Sequence, residues 1–287
     1  MGGRLFGYRR SSTSTTTADV SVTDYDDSWG LDSINTPVAY QKAWSHQDIT
    51  IFGSNYNIPL RTWVDCSCVN SDNTYMVGTA VSSLTVSSNS NADKYPWTGI
   101  TPSGGVQAVR LEYLDANWAQ QTIDIQLSGN KPTYATDVFR PQRMYAIKVG
   151  KSGAAIGNIN LCYSGNQYLR IKNGDTISHN GFYYVAAGKE LMLTDAFSSP
   201  LFGCISAIDF AMYKEEPYTF EGTTNYVESQ RPMGQTVATY IVMNTPHPVT
   251  MPYTIDEKCR VRLRVIAGTA GSSGQSYVRG YLVDKLS

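Results

Sequence analysis

Three histidines, His46, His179 and His247, are the only imidazoles in the chain, and they bound the acid–base and metal chemistry open to it. They lie far apart, and none has a partner at the spacing of a metal-ligand pair. His247 stands between Pro246 and Pro248, a setting that favours extended, turn-like backbone. His179 has chemical neighbours, since Asp175 and Ser178 precede it in GDTISHNG. A Ser-His-Asp relay is defined by geometry and needs the hydroxyl within hydrogen-bond reach of the ring. Adjacent residues on a strand point to opposite faces, so Ser178 and His179 are expected not to form one.

The carboxylates give no clearer chemistry. Asp24, Asp26 and Asp27 could offer oxygens to a calcium ion, but the twelve-residue loop with its central Gly and final Glu is missing, and a solvated acidic linker is the better reading. Glu112, Asp115 and Asp124 lie on or beside one strand pair. Glycoside hydrolysis needs two carboxylates facing across a cleft, which spacing along a chain does not show. The glycine-rich runs 150–153 and 268–274 have no strand-to-helix context for a phosphate loop and read as β-turns. No catalytic set, cofactor site or metal site is expected.

Contact chemistry is better represented. Arg260, Arg262 and Arg264 alternate with Val261, Leu263 and Val265, which puts three guanidiniums on one face of a strand. Such a stripe could meet nucleic acid or an acidic neighbour, or it is a solvated face or a cross-strand ion-pair ladder. Tyr95, Trp97 and Trp118 are candidates to stack on sugars in a receptor-binding module, or to anchor loops. At the N-terminus, Phe6, Tyr8, Arg9 and Arg10 make a sticky basic tip, read as an assembly contact on a neighbouring subunit or as an arm folded back on its own domain.

The elements that must position these residues are short strands. The clearest pair is Val106–Tyr113 and Thr122–Leu127, joined by Leu114-Asp115-Ala116-Asn117. Val109, Leu111 and Tyr113 alternate on one strand, and Ile123, Ile125 and Leu127 on the other, the period of a sheet with one face on a core. About fifteen short strands are expected along the chain, separated by Gly, Asn, Ser and Pro clusters, and no segment keeps a helical period. They include Asp48–Phe52, Leu60–Cys66, Met76–Val86, Phe182–Val185, Glu190–Thr194, Cys259–Ile266 and Tyr277–Val283. Ser87–Gly105 reads as a long surface loop. The fold class is all-β, a jelly roll or β-sandwich. Residues 1–30 form an extended arm, 31–164 a β-sandwich module and 165–287 a second, jelly-roll-like module.

Composition agrees. Charged residues are 16% of the 287, well under the usual quarter, and 20 tyrosines suit half-buried pleated surfaces. A net charge of −1 supplies no field for counterion-release binding to nucleic acid. No run of about eighteen apolar residues is present for a membrane span, and no leader-like apolar core stands at the N-terminus. The five cysteines, Cys66, Cys68, Cys162, Cys204 and Cys259, are odd in number and irregular in spacing. They read as small buried hydrophobes in a reducing compartment rather than a disulfide framework.

Four stretches, VRLEYLDANWAQQTIDIQLSGNKP, FRPQRMYAIKVGKSGAAIGNINL, YYVAAGKELMLTDA and IDEKCRVRLRVIAG, resemble a family of virion structural proteins of marine and cyanobacterial tailed phages, with relatives in large algal viruses. The matching positions are Leu114, Asp115, Asn117, Leu127, Gly129 and Pro132, then Val185, Ala187, Gly188, Lys189, Leu193 and Thr194. They are turn and core residues, and the likeness runs from about Gly105 to the C-terminus. It implies a non-enzymatic, capsid-associated protein (minor capsid, decoration or vertex), made in the host cytoplasm and carried in the virion. Its partners would be other virion proteins and copies of itself, with no nucleic acid and no membrane. A fibre, spike or tail module that binds a receptor or glycan is the alternative.

Overall fold

The computed structural model describes residues 46–62, 64–67, 69, 83–96, 104–200, 206–220, 223–229, 239–241, 247–267 and 270–285. The arm, with Phe6, Tyr8, Arg9, Arg10 and the acidic 24–27 stretch, lies outside them, as do Trp97, Cys68, Cys204 and most of Met76–Val86. Among the described residues the chain is all-β, with antiparallel sheets packed as sandwiches and no helix.

The first sandwich is built from neighbouring segments. β3 (Leu84–Ser88), β6 (Thr133–Ala135), β8 (Ile159–Tyr163) and β9 (Asn166–Ile171) form one sheet, in the order β6-β3-β8-β9. β4 (Val106–Leu114), β5 (Gln120–Gln126) and β7 (Arg140–Val149) form the other, with β4 central. Leu84, Val86, Leu111, Leu114, Ile125, Leu127, Leu161 and Leu169 fill the space between them. The alternation expected in β4 is interrupted. The register against β7 shifts at Ala108 and again between Glu112 and Tyr113. These bulges bury Val106, Ala108, Val109, Leu111 and Leu114 and leave Tyr113 only half-buried.

The second sandwich is closed by the two ends of the described chain. β1 (Gln47–Ile58) pairs with β17 (Ser272–Asp284), which continues through β11 (Lys189–Pro200) to β15 (His247–Ile255). The facing sheet runs β10 (Phe182–Tyr184), β16 (Cys259–Ala267), β12 (Ser206–Phe220), β13 (Thr223–Ser229), with β2 (Val64–Asp65) on β16 and β14 (Thr239–Ile241) on β12. Ile49, Ile51, Leu191, Val261, Leu263, Val265, Val278 and Leu282 form its core.

Two expected boundaries fall differently. The break placed at 164–165 lies in the turn of the β8–β9 hairpin, whose strands share one sheet. The strand expected at Leu60–Cys66 is reduced to β2. Leu60 is half-exposed and Arg61 turns the chain at φ 50°, while β1 runs to Ile58 because β17 is long enough to keep pairing it.

β10 belongs to both cores. Phe182, Tyr184 and Ala186 enter the first, and Tyr183 and Val185 pack on the second. A strand covered on both faces reads as a continuous apolar run, as Phe182–Ala186 does.

Candidate functional site

Between the outer face of the β5-β4-β7 sheet and the exposed side of β1 lies a cleft of about 300 Å³. Its first wall carries the row Thr122, Glu112 and Arg143, and a second row lies beside it on the same sheet. Thr122, Glu112 and Arg143 stand opposite one another, and so do Asp124, Arg110 and Tyr145. Residues in register on one face are the pairs that interact in a sheet. Arg143 donates to Glu112 through Nη2 (2.8 Å) and Nε (3.1 Å), and Arg110 donates to Asp124 through Nε (2.6 Å) and Nη2 (2.9 Å). The Arg143 guanidinium also lies 5.2 Å from the Tyr145 ring centre. The bond from Arg110 holds the Asp124 carboxyl below its usual range. Both forks are two-toothed, so the wall is an ordered charge ladder.

The second wall is β1 from Gln47 to Phe52, continued by Ile177, Asn180 and Phe182. Tyr183 closes one end, where Gln120 Nε2 donates to its hydroxyl at 3.0 Å. Burial pushes the Tyr183 phenol well above its ordinary value, so it stays protonated.

The floor is a chain of amides that ties the sandwiches together. Asn180 Nδ2 donates to the Gln142 carbonyl at 2.7 Å, and Tyr184 N–H donates to Gln142 Oε1 at 2.8 Å. Met144 N–H donates to Ser178 Oγ, which donates in turn to Asn180 Oδ1, both at 3.0 Å. Gln142, Ser178 and Asn180 are all buried. Their hydrogen-bonding capacity is spent on β7 and β10, so they fix the joint between the sandwiches rather than face a ligand.

His179 points the other way from Ser178, as the strand period requires. Its Nδ1 is 3.2 Å from Ser54 Oγ and 4.0 Å from Asp175 Oδ2. Hydroxyl and carboxylate therefore meet the same ring nitrogen, whereas a relay needs one on each. Ser54 is fully buried, and the His179 ring packs edge-on against Phe52 at 4.5 Å. Burial lowers its pKa, against the pull of Asp175. This trio is a packing contact on β1.

A second polar centre was read as surface loop. Asp93 is completely buried, and its carboxylate accepts from Ser88 Oγ (2.7 Å), Val106 N–H (2.9 Å), Ile156 N–H (3.0 Å) and Gly157 N–H (2.8 Å). A Cβ at Gly105 would come within 1.9 Å of Asp93 Oδ1, so glycine is needed there. Asp93 thus ties β3, β4 and the approach to β8 together from inside.

The arginine stripe is not an open face. Arg260 is fully buried, with its guanidinium 5.8 Å from the Tyr184 ring centre. Arg140, also buried, lies 3.7 Å from the Phe139 ring centre and 5.9 Å from that of Tyr184. Arg262 Nε reaches Asp65 Oδ1 at 3.4 Å, and Arg264 is half-buried in register with Asp65. The face turns inward because β10 pairs with β16 and faces the first core. Trp118 is likewise 4% exposed and not a surface aromatic. It adopts φ 62°, which aims the indole edge-on at Phe139, 5.3 Å away. Tyr95 does stay exposed at 38%, with Lys148 Nζ 4.1 Å above its ring.

No known family model, curated protein or solved structure matches the chain.

What can be said of chemistry therefore comes from the geometry. Among the described residues no three His, Cys, Asp or Glu side chains gather as a metal site. Cys66 and Cys259 are buried and Cys162 is half-buried. The positions that carry the viral resemblance are structural. Asp115 Oδ1 accepts from Asn117 and Ala119 N–H, and Gly188 N–H donates to Glu257 Oε2 at 2.8 Å, while Lys189 pairs with Asp284. From sequence Glu112 stands only as a candidate acid. Its pairing with Arg143 is a cross-strand contact that needs the β4–β7 register, and the hairpin sequence does not contain it.

Proposed function

We propose that the chain is a non-enzymatic structural protein of a virion. It is capsid-associated, as a minor capsid, decoration or vertex protein, and acts through protein–protein contacts as a homo-oligomer in the assembled particle. The jelly-roll connectivity implied by the viral resemblance belongs to the same proposal. The observation that carries it is how the polar residues are used. Asp93, Asp115, Gln142, Ser178 and Asn180 each hold backbone in place, and Glu112 and Arg143 of the cleft are paired with each other. Such a molecule offers shape, sheet edges and ordered charge rather than a reactive group, which is the currency of assembly.

Tyr95 keeps the fibre or receptor-binding alternative in view as an exposed aromatic. Its ring already carries the Lys148 ammonium, and Trp118 has left the surface, so that reading has less to stand on.

Quantitative mass spectrometry of purified particles, with single-particle localisation, tests the proposal. Many copies in a regular array on the shell are expected. Their absence from the particles would overturn it, and a few copies at a tail tip would favour the alternative.

A further inference from the structure

One edge of the cleft has a use that the proposed function does not name. The Phe52 carbonyl accepts from Gly181 N–H at 3.0 Å, on the side of β1 away from β17. In an antiparallel pair a residue's N–H and C=O point to the same side, and the side alternates along the strand. The backbone groups of Asp48 and Thr50 therefore point away from β17, into the cleft. Among the described residues no strand pairs with β1 on that side between Gln47 and Ile51. An edge of this kind is a template for an added strand.

We infer that the edge receives residues Thr15–Thr23 of a second copy of the chain as an extra strand. The inference rests on the assembly reading and gives it one specific contact. Thr15–Thr23 reads TTTADVSVT. It is rich in β-branched residues, and Ala18, Val20 and Val22 alternate with Asp19, Ser21 and Thr23. The cleft is two-sided in the same way, with Tyr113 and Phe182 beside the Glu112–Arg143 pair. A strand with one apolar and one polar face suits such a lining.

Chain length allows the segment to reach beyond the donor's own cleft to another copy's. The described chain begins at His46, at the mouth of the cleft, and the 22 residues 24–45 separate it from the segment. Neighbouring antiparallel strands are normally joined by about 2–5 residues. Twenty-two extended residues reach up to about 75 Å, enough to cross to an adjoining subunit.

The test uses the full chain. A photo-crosslinking amino acid is placed at Thr50, and unlabelled copies are mixed with ¹⁵N-labelled ones. Crosslinks to residues 15–23 in mixed-isotope pairs are expected. Crosslinks confined to one chain, or to other segments only, would overturn the inference. Thr50→Pro gives a second measurement. It removes an N–H that points into the cleft and leaves the β17 ladder intact. Self-association should weaken by about tenfold or more. Unchanged association would sink the strand contact and leave the assembly reading standing. A parent chain that stays monomeric at ~100 μM would sink both.

Discussion

The two sandwiches are made from similar strands but held together by different means. The first takes its sheet strands from Leu84 to Ile171, and two of its pairs, β4–β5 and β8–β9, are hairpins. It is completed from within by Asp93, whose four donors lie on β3, β4 and the approach to β8. The second depends on strands from opposite ends of the chain, since Gln47 stands opposite Leu282 in the β1–β17 ladder. Local pairing closes small loops at low entropic cost, whereas joining distant strands requires the intervening chain to be ordered first. The first sandwich is thus expected to hold its structure by local contacts and one buried polar hub, and the second by a clasp.

Placing a charge in the first core should have the largest effect. Ile125→Asp puts a carboxylate without a partner among Leu111, Leu127 and their neighbours, at a cost above about 4 kcal/mol. Limited proteolysis with mass spectrometry should show cuts within 84–171 before any cut in β17. A variant that melts like the parent would show that Ile125 is not a core residue. The hub comes next. Asp93→Ala leaves three buried N–H groups and a hydroxyl without their acceptor, a loss of at least about 3 kcal/mol by denaturant titration. A loss no larger than that of a surface substitution would remove the hub from the account.

Asp115 sharpens the comparison at the hairpin turn. Asp115→Ala should cost about 1 kcal/mol, and Asn117→Ala much less, because Asn117 contributes only its N–H. Partial burial raises the Asp115 pKa, but hydrogen bonds from Ala119, Gln121 and Asn117 together hold it below its ordinary value. Its contribution is therefore present above the unfolded carboxylate pKa and is lost as pH falls through the lower folded one. The parent should lose stability across that acid window more steeply than Asp115→Ala, as followed by thermal melts. The smallest effect belongs to the exposed ladder. Arg110→Ala should shift the Tm by less than about 2 °C, since exposed ion pairs add little even when two-toothed.

Much of the first sandwich was legible. Alternation placed Leu111, Ile125 and Leu127 in the core, because a two-residue period records which face is buried. The bulges of β4 were not legible, since they arise from the partner strand β7. Asp93 was hidden for a related reason. It sits in a Ser-, Asn- and Gly-rich stretch that looks like open loop, and its donors at 106, 156 and 157 are far along the chain. Residue type leaves Arg260 open as a contact, solvated or ion-paired face and Trp118 as a sugar-stacking or loop-anchoring aromatic, and both pack around Tyr184 at the joint. The cleft was beyond reach of the sequence because its walls come from β1, the β5-β4-β7 sheet and the 177–183 segment, which lie far apart along the chain.

The central claim is that the segment 182–186, β10 and the two residues after it, is two-faced and serves both cores. Hydrogen-exchange mass spectrometry of two neighbouring substitutions tests it most directly. Tyr184→Ala should speed exchange in β4, β7 and β8 and leave the β1–β17 clasp protected. Val185→Ala should do the reverse, loosening β1, β16 and β17 while β4 and β8 stay protected. Identical exchange patterns from the two variants would contradict the claim, because a strand facing one core would report on that core alone.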